Sequence, residues 1–241
     1  MSVLSDGADA PVVITGASSG IGRALAVTLG GRGHTLVLAG RDRARLEEAR
    51  QAAERVGGSA EAVAVDVTDD AAVDAWLAPL SELPVGVAAL IHSAGMVTLG
   101  SVADTDAAVL DAHYAVNLRA PYRITRALLP ALERAGGQVV FVNSGAGLHA
   151  NAAWSAYAAS KFGLRALADS LRQEVGDRGV RVTTVYPGRT ATPMQADVHR
   201  QEGRRYDPDA FVRPEDVAGQ IAALLEVPPP SVVTELVIRP G

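Results

Sequence analysis

Short apolar runs rich in Val, Ile and Leu alternate along the chain with longer segments in which apolar residues recur at helical spacing. Strands and helices that alternate in this way form right-handed βαβ units, which build a parallel sheet covered by helices on both faces. The pattern therefore predicts a doubly wound α/β fold with a mostly parallel, seven-stranded sheet. The predicted strands are 11–14, 34–39, 60–65, 85–91, 138–142, 180–185 and 232–238. The predicted helices are 23–29, 43–55, 71–80, 104–135, a helix that carries Tyr157 and runs to about Asp177, and one that begins at Pro214.

Nothing in the sequence divides this alternation, since it contains no internal repeat, low-complexity tract or interdomain linker. We therefore expect a single domain over residues 1–241. Segment 193–212 is different, because it is polar, charged, weakly periodic and longer than an ordinary connection, which makes it a candidate substrate lid. It holds side chains that suit either recognition of an anion or simple surface solvation, namely His199, Arg200, Arg204, Arg205 and Tyr206.

Glycines cluster after the first predicted strand, where Gly16, Gly20 and Gly22 form a Gly-x3-Gly-x-Gly turn. Glycine lets the backbone bend tightly and approach a ligand, and the helix that follows offers free N–H groups to a phosphate. The spacing is neither the commoner Gly-x-Gly-x-x-Gly turn nor a P-loop, and a tight turn without a ligand is the alternative. We predict that the turn binds a dinucleotide through Gly16, Ser18, Ser19, Gly20, Ile21 and Gly22.

The end of the second predicted strand indicates which dinucleotide is bound. In a dinucleotide fold an acid at this junction binds the ribose 2′-hydroxyl, whereas an arginine accommodates a 2′-phosphate. Gly40 leaves room there, and the guanidinium of Arg41 can bind a phosphate bidentately. Asp42 is the competing signal for NAD, but its position just before a helix gives it a sufficient role as an N-cap. NADP(H) is therefore preferred over NAD(H).

Composition and charge limit the other partners. A net charge of −5 and a pI near 5.5 provide no basic field for nucleic acid. Every apolar run stops well short of the roughly 20 residues that span a bilayer, and residues 1–10 lack the basic start of a secretory signal. We expect a cytoplasmic protein with no nucleic-acid or membrane partner. The chain has no cysteine, and its five histidines show no paired ligand spacing, so no metal is expected. His149 is interpreted as a plain loop residue, with a place in the substrate pocket as the alternative.

Among the 22 basic residues, Lys161 is the only lysine, and it follows Tyr157 by four positions. Residues four apart on a helix share a face, so the phenol and the ammonium group project into the same space. The alternative is an ordinary surface pair, which arginine would serve equally well. A lysine instead provides a compact charge with three rotatable donors.

Two further polar residues precede this pair. Ser144 lies 13 residues before Tyr157, just after the fifth predicted strand. Asn117 lies 40 residues before Tyr157, close to Pro121, which is expected to kink the helix over 104–135. Disturbed backbone hydrogen bonding at a kink would expose a carbonyl to water, while a solvent-facing asparagine is the alternative.

Together with the glycine turn, these residues resemble the short-chain dehydrogenase/reductase family in its compact single-domain form, over nearly the whole chain. The resemblance implies a Rossmann-type fold and NADP(H)-dependent transfer of hydride between nicotinamide and a carbonyl or secondary alcohol. It implies catalysis by Asn117, Ser144, Tyr157 and Lys161. It also implies that Tyr157 and Lys161 contact the cofactor, as do Asp66, Val67, Ala94, Gly95, Pro187, Gly188, Thr190 and Thr192.

The chemistry of this reaction suits these residue types. Reducing a carbonyl produces an alkoxide that needs a proton donor, and Tyr157 is the expected general acid and base. A phenol with a pKa of about 10 needs nearby positive charge to favour its phenolate, which Lys161 and the oxidised nicotinamide are expected to supply. By resemblance, Lys161 also binds the nicotinamide ribose, Ser144 donates to the substrate oxygen, and Asn117 holds a water in a proton relay.

Two departures from the family pattern stand out. His92 and Ser93 occupy the places of two asparagines before Ala94-Gly95, and Tyr186 stands where asparagine commonly precedes Pro187-Gly188. A non-catalytic NADP(H)-binding sensor is the alternative function, although a sensor needs no proton donor. A nucleotide-sugar epimerase or dehydratase is disfavoured, because the glycine spacing and the short C-terminal part do not fit it. The resemblance further suggests a homodimer or homotetramer, and the sequence does not identify the carbonyl substrate.

Overall fold

The computed structural model describes residues 9–241, and its centre is a sheet in which every strand pair is parallel. The sheet has seven strands in the order β3-β2-β1-β4-β5-β6-β7. The strands are β1 Val12–Thr15, β2 Thr35–Gly40, β3 Ser59–Ala64, β4 Ala89–His92, β5 Gln138–Val142, β6 Arg181–Pro187 and β7 Glu235–Ile238. This confirms the predicted fold class.

Helices cover both faces of the sheet. The helices are α1 Gly20–Gly30, α2 Arg43–Arg55, α3 Asp70–Ser81, α4 Ala107–Tyr114, α5 Ala120–Ala135, α6 Ser155–Val175, α7 Pro193–Gln201 and α8 Pro214–Leu225. Leu25 of α1 and Ile221 of α8 pack with Ile14 in one buried apolar cluster. Leu128 of α5 and Leu164 of α6 pack with other strand residues in a second cluster. Since successive strand residues point to opposite faces, the two clusters are the two layers of one sandwich.

The order of the strands determines where a ligand can bind. The chain runs outward from β1 to β3 and then returns to place β4 on the other side of β1. Thr15 at the end of β1 is in register with Ala39 on one side and with His92 on the other. A crevice opens at such a switch point beyond the carboxyl ends of the strands. The glycine turn after β1 borders this crevice.

Three predicted strands differ from the observed ones. The apolar run 60–65 predicted a buried strand, but β3 is an edge strand whose residues are mostly half-exposed or exposed, so that prediction was wrong. β7 begins only at Glu235 instead of at 232. β4 begins only at Ala89, because Gly86 has a left-handed φ of +75° and the Val87 amide donates to Ala131 rather than to a strand. The exposure of β3 depends on its place at the edge of the sheet, and the start of β4 depends in part on the bond from Val87 to α5.

The predicted helix over 104–135 is interrupted. A π-helical turn, Ala115–Arg119, separates α4 from α5, and Pro121 lies in the first turn of α5. The irregularity thus precedes the proline, which has no need of an N–H donor in a first turn. Asn117 in the π-helical turn is buried, so a solvent-facing asparagine is ruled out.

Segment 193–212 is more regular than its sequence suggested. It contains α7, whose N-cap Thr192 accepts from the Gln195 amide at 3.2 Å, and a short 3-10 turn, Pro208–Ala210. Within residues 9–241, none of the helices combines the length and apolar character needed to cross a membrane. The prediction about a signal segment falls mainly on residues 1–8, which lie outside the described part of the chain.

Candidate active site

One large cavity of about 1530 Å³ lies beyond the carboxyl ends of the strands. It gathers residues from the loops after β1 to β6, from α6 and from α7, as expected for the ligand crevice of this fold. The predicted site residues that line it are Gly16, Ser18, Ser19, Gly20, Ile21, Arg41, Asp66, Val67, Ala94, Gly95, Ser144, Tyr157, Lys161, Pro187, Gly188, Thr190 and Thr192. Two predicted residues, Gly22 and Asn117, lie behind the cavity wall.

The glycine turn depends on the absence of side chains. Gly16 has a φ of +70°, and a Cβ there would lie 2.6 Å from the Ala94 amide nitrogen. A Cβ on Gly22 would lie 2.3 Å from the Gly16 carbonyl oxygen. Gly22 therefore shapes the turn from inside, while the first turn of α1 points its free N–H groups at the cavity. Ser19 precedes α1 as N-cap and its hydroxyl makes no capping bond, so the hydroxyl is available to a ligand.

The junction after β2 has the arrangement that the sequence predicted. The Asp42 carboxylate accepts from the Arg45 amide at 3.1 Å and so caps α2. Arg41 is exposed and lines the cavity. On the next loop, the Thr68 amide and hydroxyl donate to Asp66 at 2.9 and 2.7 Å, and these bonds together with Arg41 hold the pKa of Asp66 below its usual range. An exposed guanidinium therefore borders the cavity at this end.

Ser144, Tyr157 and Lys161 meet in the middle of the cavity. Tyr157 and Lys161 lie one turn apart on α6, and the ammonium nitrogen is 5.8 Å from the centre of the phenol ring. The ammonium group donates to the Val142 carbonyl at 3.1 Å, which fixes it at the end of β5. Ser144 follows β5 directly, and its hydroxyl oxygen accepts from the Ala146 amide at 3.1 Å. The hydroxyl hydrogen is thus directed away from the Ala146 amide and can be donated to Tyr157 or to a ligand oxygen.

Burial controls the ionisation of Tyr157 and Lys161. It raises the pKa of Tyr157, and the hydrogen bond with Ser144 only partly opposes the rise. It also lowers the pKa of Lys161 to about 8. Desolvation therefore outweighs the hydrogen bond with Ser144, and the protonated phenol is the favoured form.

Asn117 connects the loop after β4 to α6. Its side chain accepts from the Met96 amide at 2.9 Å and donates to the Met96 carbonyl at 3.0 Å. It also donates to the Ser160 hydroxyl at 3.0 Å. A Cβ on Gly95 would lie 3.4 Å from the Asn117 amide oxygen, so the loop and the asparagine fit closely. The side chain is fully engaged in fixing the loop that borders Lys161.

Of the residues that depart from the family pattern, His92 and Tyr186 do not line the cavity. His92 is buried, stacks on Phe141 with ring centres 5.1 Å apart, and bonds Thr125 of α5 at 2.8 Å. Burial lowers the pKa of His92 to about 3, which keeps the ring neutral. Tyr186 is buried and donates to Glu235 on β7 at 3.0 Å. Ser93 alone of these substitutions lines the cavity.

Three aromatic and basic residues near Tyr157 were not singled out from the sequence. His113 accepts from the Thr98 amide at 3.1 Å, and its ring centre is 6.1 Å from that of Tyr157. The Trp154 ring packs edge-on against Tyr157 at 5.8 Å, and the Arg189 guanidinium lies 6.0 Å from the Trp154 ring. Trp154 lies three residues before Tyr157, so helical spacing could have found it, whereas His113 and Arg189 come near only through tertiary packing.

The candidate lid forms the far end of the cavity. Met194, Gln195 and Val198 of α7 line it. A bidentate ion pair at 2.9 and 2.6 Å joins Glu202, just after α7, to Arg189 of the loop after β6. This ion pair holds the end of α7 over the cavity.

Most of the side chains considered for anion recognition have other contacts. His199 is buried, bonds Gln195 and packs with Tyr206 and Phe211 in an aromatic cluster. Arg200 pairs with Asp197 on the outer side of α7. Only Arg204 lines the cavity, and it lies 3.9 Å from Glu202.

His149 is exposed and does line the cavity, so interpreting it as a plain loop residue was wrong. Over residues 9–241, the structure contains no group of three or more His, Asp or Glu side chains able to hold a metal ion.

A family model and a similar protein both relate the chain to short-chain dehydrogenases and oxidoreductases. The family model for short chain dehydrogenase matches residues 10–203. An uncharacterised oxidoreductase from Staphylococcus saprophyticus is 31% identical over 237 residues, covering 96% of this chain and 97% of that protein.

Two solved structures resemble the chain over nearly its full length. A metagenomic short-chain oxidoreductase in complex with NADP is 32% identical, with a TM-score of 0.82 and coverage of 97% and 98%. An alcohol dehydrogenase from the archaeon Thermococcus sibiricus, complexed with 5-hydroxy-NADP, is 25% identical, with a TM-score of 0.86 and 96% coverage of each chain. The sequence resemblance is confirmed, and the chain belongs to the short-chain dehydrogenase family of oxidoreductases.

Proposed function

We propose that the protein is an NADP(H)-dependent oxidoreductase that interconverts a carbonyl compound and a secondary alcohol, with Tyr157 as general acid and base. The observation that carries the proposal is the convergence of Ser144, Tyr157 and Lys161 on the same cavity as the glycine turn. A non-catalytic NADP(H)-binding sensor needs only the glycine turn. The buried proton donor beside a buried cation therefore favours the enzyme.

The residues present fit a dinucleotide. Gly16 and Gly20 have left-handed φ angles of +70° and +52°, and the turn itself carries no side chain at these two positions where a diphosphate would approach α1. Thr192 faces this turn, since a Cβ on Gly20 would lie 3.0 Å from its methyl group. Bound nicotinamide supplies or accepts the hydride.

The preference for NADP rests on Arg41. Its exposed guanidinium borders the cavity next to a turn in which Ser18 also lines the wall. A planar guanidinium with a nearby hydroxyl suits a 2′-phosphate. Asp42 is occupied as the cap of α2 and so does not compete for a ribose hydroxyl. The NADP complexes of the two similar solved structures agree with this choice.

The proton is proposed to move through Tyr157. During reduction, Ser144 donates to the substrate oxygen while the Tyr157 hydroxyl transfers its proton to the developing alkoxide. The raised pKa of Tyr157 keeps the phenol protonated beforehand. The phenolate that remains is then stabilised by the Lys161 ammonium and takes a proton back from solvent. For this step the backbone carbonyl of Asn117, which lacks an N–H donor at Pro121, is proposed to hold a water.

Further parts of the proposal concern the whole chain. Residues 1–241 are proposed to act as one catalytic domain, with 193–212 as the lid over the substrate. A homodimer or homotetramer is proposed by analogy with the family. Exposed apolar side chains on the helices around the π-helical turn, Leu110, Tyr114, Tyr122 and Phe162, agree with such an assembly.

The test is a carbonyl panel followed by nicotinamide absorbance with NADPH and NADH in parallel, repeated with Tyr157→Phe. We expect kcat/KM to fall by at least about 100-fold, because general acid catalysis contributes that much or more. The dissociation constant for NADPH should stay within about threefold, since no phosphate contact is removed. Tyr122→Phe is the matched control, because Tyr122 is exposed on α5. Full activity of Tyr157→Phe would disprove the assignment.

A further inference from the structure

Arg239, the residue after β7, reaches back to the centre of the active-site cavity. It lines the same cavity as Ser144 and Tyr157. A Cβ on Gly145 would lie 2.6 Å from the Nη1 atom of Arg239. Since Gly145 directly follows Ser144, the guanidinium lies within about 8 Å of the Ser144 Cα atom. Glycine at 145 is thus what allows this arginine to approach the catalytic serine.

Arg239 has no bonded partner for its charge among the described residues, although Glu215 and Asp216 border the same shallow groove. It makes no ion pair or hydrogen bond with any residue of the described range 9–241, whereas Arg189 is bound bidentately by Glu202. Three acids line the cavity. Asp42 and Asp66 follow β2 and β3 at the far side of the sheet, and Glu202 is already paired. The catalytic end of the cavity therefore has an unpaired cation and no free carboxylate.

This cation is separate from the one proposed to bind NADP. Arg41 follows β2, whereas Arg239 follows β7, and the two strands are five positions apart in the sheet. With strands about 4.8 Å apart, the strand ends are separated by about 24 Å. A phosphate held at Arg41 therefore does not reach Arg239.

The cavity wall around Tyr157 is largely apolar. Val97, Leu99, Trp154 and Val198 line the cavity and pack around Tyr157. A ligand that fills it must place apolar atoms against this wall and its charged group against the guanidinium. A carboxylate suits that position, because a planar guanidinium binds it with two parallel hydrogen bonds.

We propose that Arg239 binds the carboxylate of the substrate, so that the protein acts on oxo acids and hydroxy acids with an apolar or aromatic body. This inference rests on the proposed function, because it assumes that the carbonyl of the same molecule meets Ser144 and Tyr157. Arg239 would then orient the substrate and exclude neutral carbonyl compounds that leave its charge unpaired.

A purely structural role for Arg239 makes a different prediction. Arg239 also borders a shallow groove that contains Glu215 at the start of α8. If pairing with Glu215 were its role, Glu215→Gln and Arg239→Gln would lower stability alike. Neither would then change how the protein discriminates between a carboxylate and its amide.

The experiment measures binding without turnover. Phenylacetate and phenylacetamide are titrated by calorimetry into the protein saturated with NADP⁺, since neither ligand has a carbonyl or alcohol that this chemistry converts. We expect wild type to bind phenylacetate about tenfold more tightly than phenylacetamide, and Arg239→Gln to lose that preference, because a hydrogen-bonded charge is removed. Arg239→Lys should retain part of it, since the charge stays but the fork is lost.

Two controls locate the effect. Arg204→Gln removes a second arginine that lines the cavity and is not bound bidentately as Arg189 is, and Glu215→Gln removes the acid that borders the groove beside Arg239. Both should keep the preference of wild type for phenylacetate. Equal binding of the two ligands by wild type, an unchanged preference in Arg239→Gln, or loss of the preference in Arg204→Gln would each overturn the proposal.

A kinetic comparison separates this inference from the proposed function. NADPH consumption is measured with 2-oxo-4-phenylbutanoate and with its methyl ester, in wild type and in Arg239→Gln. The acid should be preferred by kcat/KM in wild type only. Turnover of both compounds at equal rates would retain the oxidoreductase and reject the carboxylate site. If wild type binds phenylacetate more tightly than phenylacetamide but consumes no NADPH with any carbonyl compound, the oxidoreductase function is rejected and the carboxylate site at Arg239 is retained.

Discussion

Replacing Lys161 by methionine should make the protein more stable near neutral pH, and this gain should disappear in alkali. The Lys161 side chain is only 4% exposed, and burial lowers its pKa to about 8 from an ordinary value of 10.5. The folded protein therefore binds fewer protons than the unfolded chain between these two values. Stability of wild type must rise with pH across that window.

The size of the effect follows from the two pKa values. At pH 7 the shift destabilises the folded state by about 3 kcal/mol, at pH 9 by about 2 kcal/mol, and at pH 11 by close to zero. Methionine is apolar and of similar length, so it removes this pH-dependent destabilisation. It also removes the bond from the ammonium group to the Val142 carbonyl, which lowers stability by about 1 kcal/mol at every pH. The net gain at pH 7 is then about 2 kcal/mol.

The assay is urea unfolding at intervals between pH 7 and pH 11, comparing Lys161→Met with the parent in a Tyr157→Phe background. That background removes the neighbouring phenol, whose own titration would otherwise overlap. Because Lys161 is the only lysine in the chain, no other ammonium group titrates differently in the pair. If the difference in the free energy of unfolding between Lys161→Met and its parent does not change with pH, the pKa of Lys161 is not lowered by burial and the reasoning is refuted.

Two further predictions test the cofactor end of the site. Arg41→Gln should raise KM for NADPH by about tenfold or more and that for NADH by less than about twofold, because only NADPH carries the 2′-phosphate; equal changes with both cofactors in steady-state kinetics would contradict this. Gly22→Ala should abolish NADP binding or folding, since its Cβ would lie 2.3 Å from the Gly16 carbonyl oxygen. Gly219→Ala is the matched control: nothing lies within 4 Å of its Cβ position in α8, and thermal unfolding should show a gain of about 0.5–1 kcal/mol.

Local sequence was sufficient for those elements whose boundaries are set by local chemistry. The helix over 43–55 was predicted to the residue, because Asp42 caps its start through a bond three residues along the chain. The start of β4 was not, because Gly86 and a bond from Val87 to α5 decide it. The π-helical turn escaped prediction for the same reason, since Asn117 is held there by Met96 and Ser160.

The same distinction applies to the site. Its glycine turn and the pair on α6 are sequence patterns with fixed spacing, so the residues that line the cavity could be predicted in large part. His113 and the Arg189–Glu202 ion pair have no such spacing. Arg239 approaches Ser144 only because β7 lies two strands from β5 and Gly145 leaves space. Strand order is not contained in any local pattern.

The distribution of cations along the cavity gives a reason for the single lysine. Arg41 and Arg239 are proposed to hold permanently charged groups at opposite ends of the bound molecules, and a guanidinium that never loses its proton suits both. The cation between them is buried, and it is proposed to stabilise a Tyr157 phenolate that forms and disappears in each turnover. With its pKa lowered to about 8, the Lys161 amine can change charge near neutral pH, which arginine cannot do. Lysine is therefore required at this one position, while arginine serves at the others.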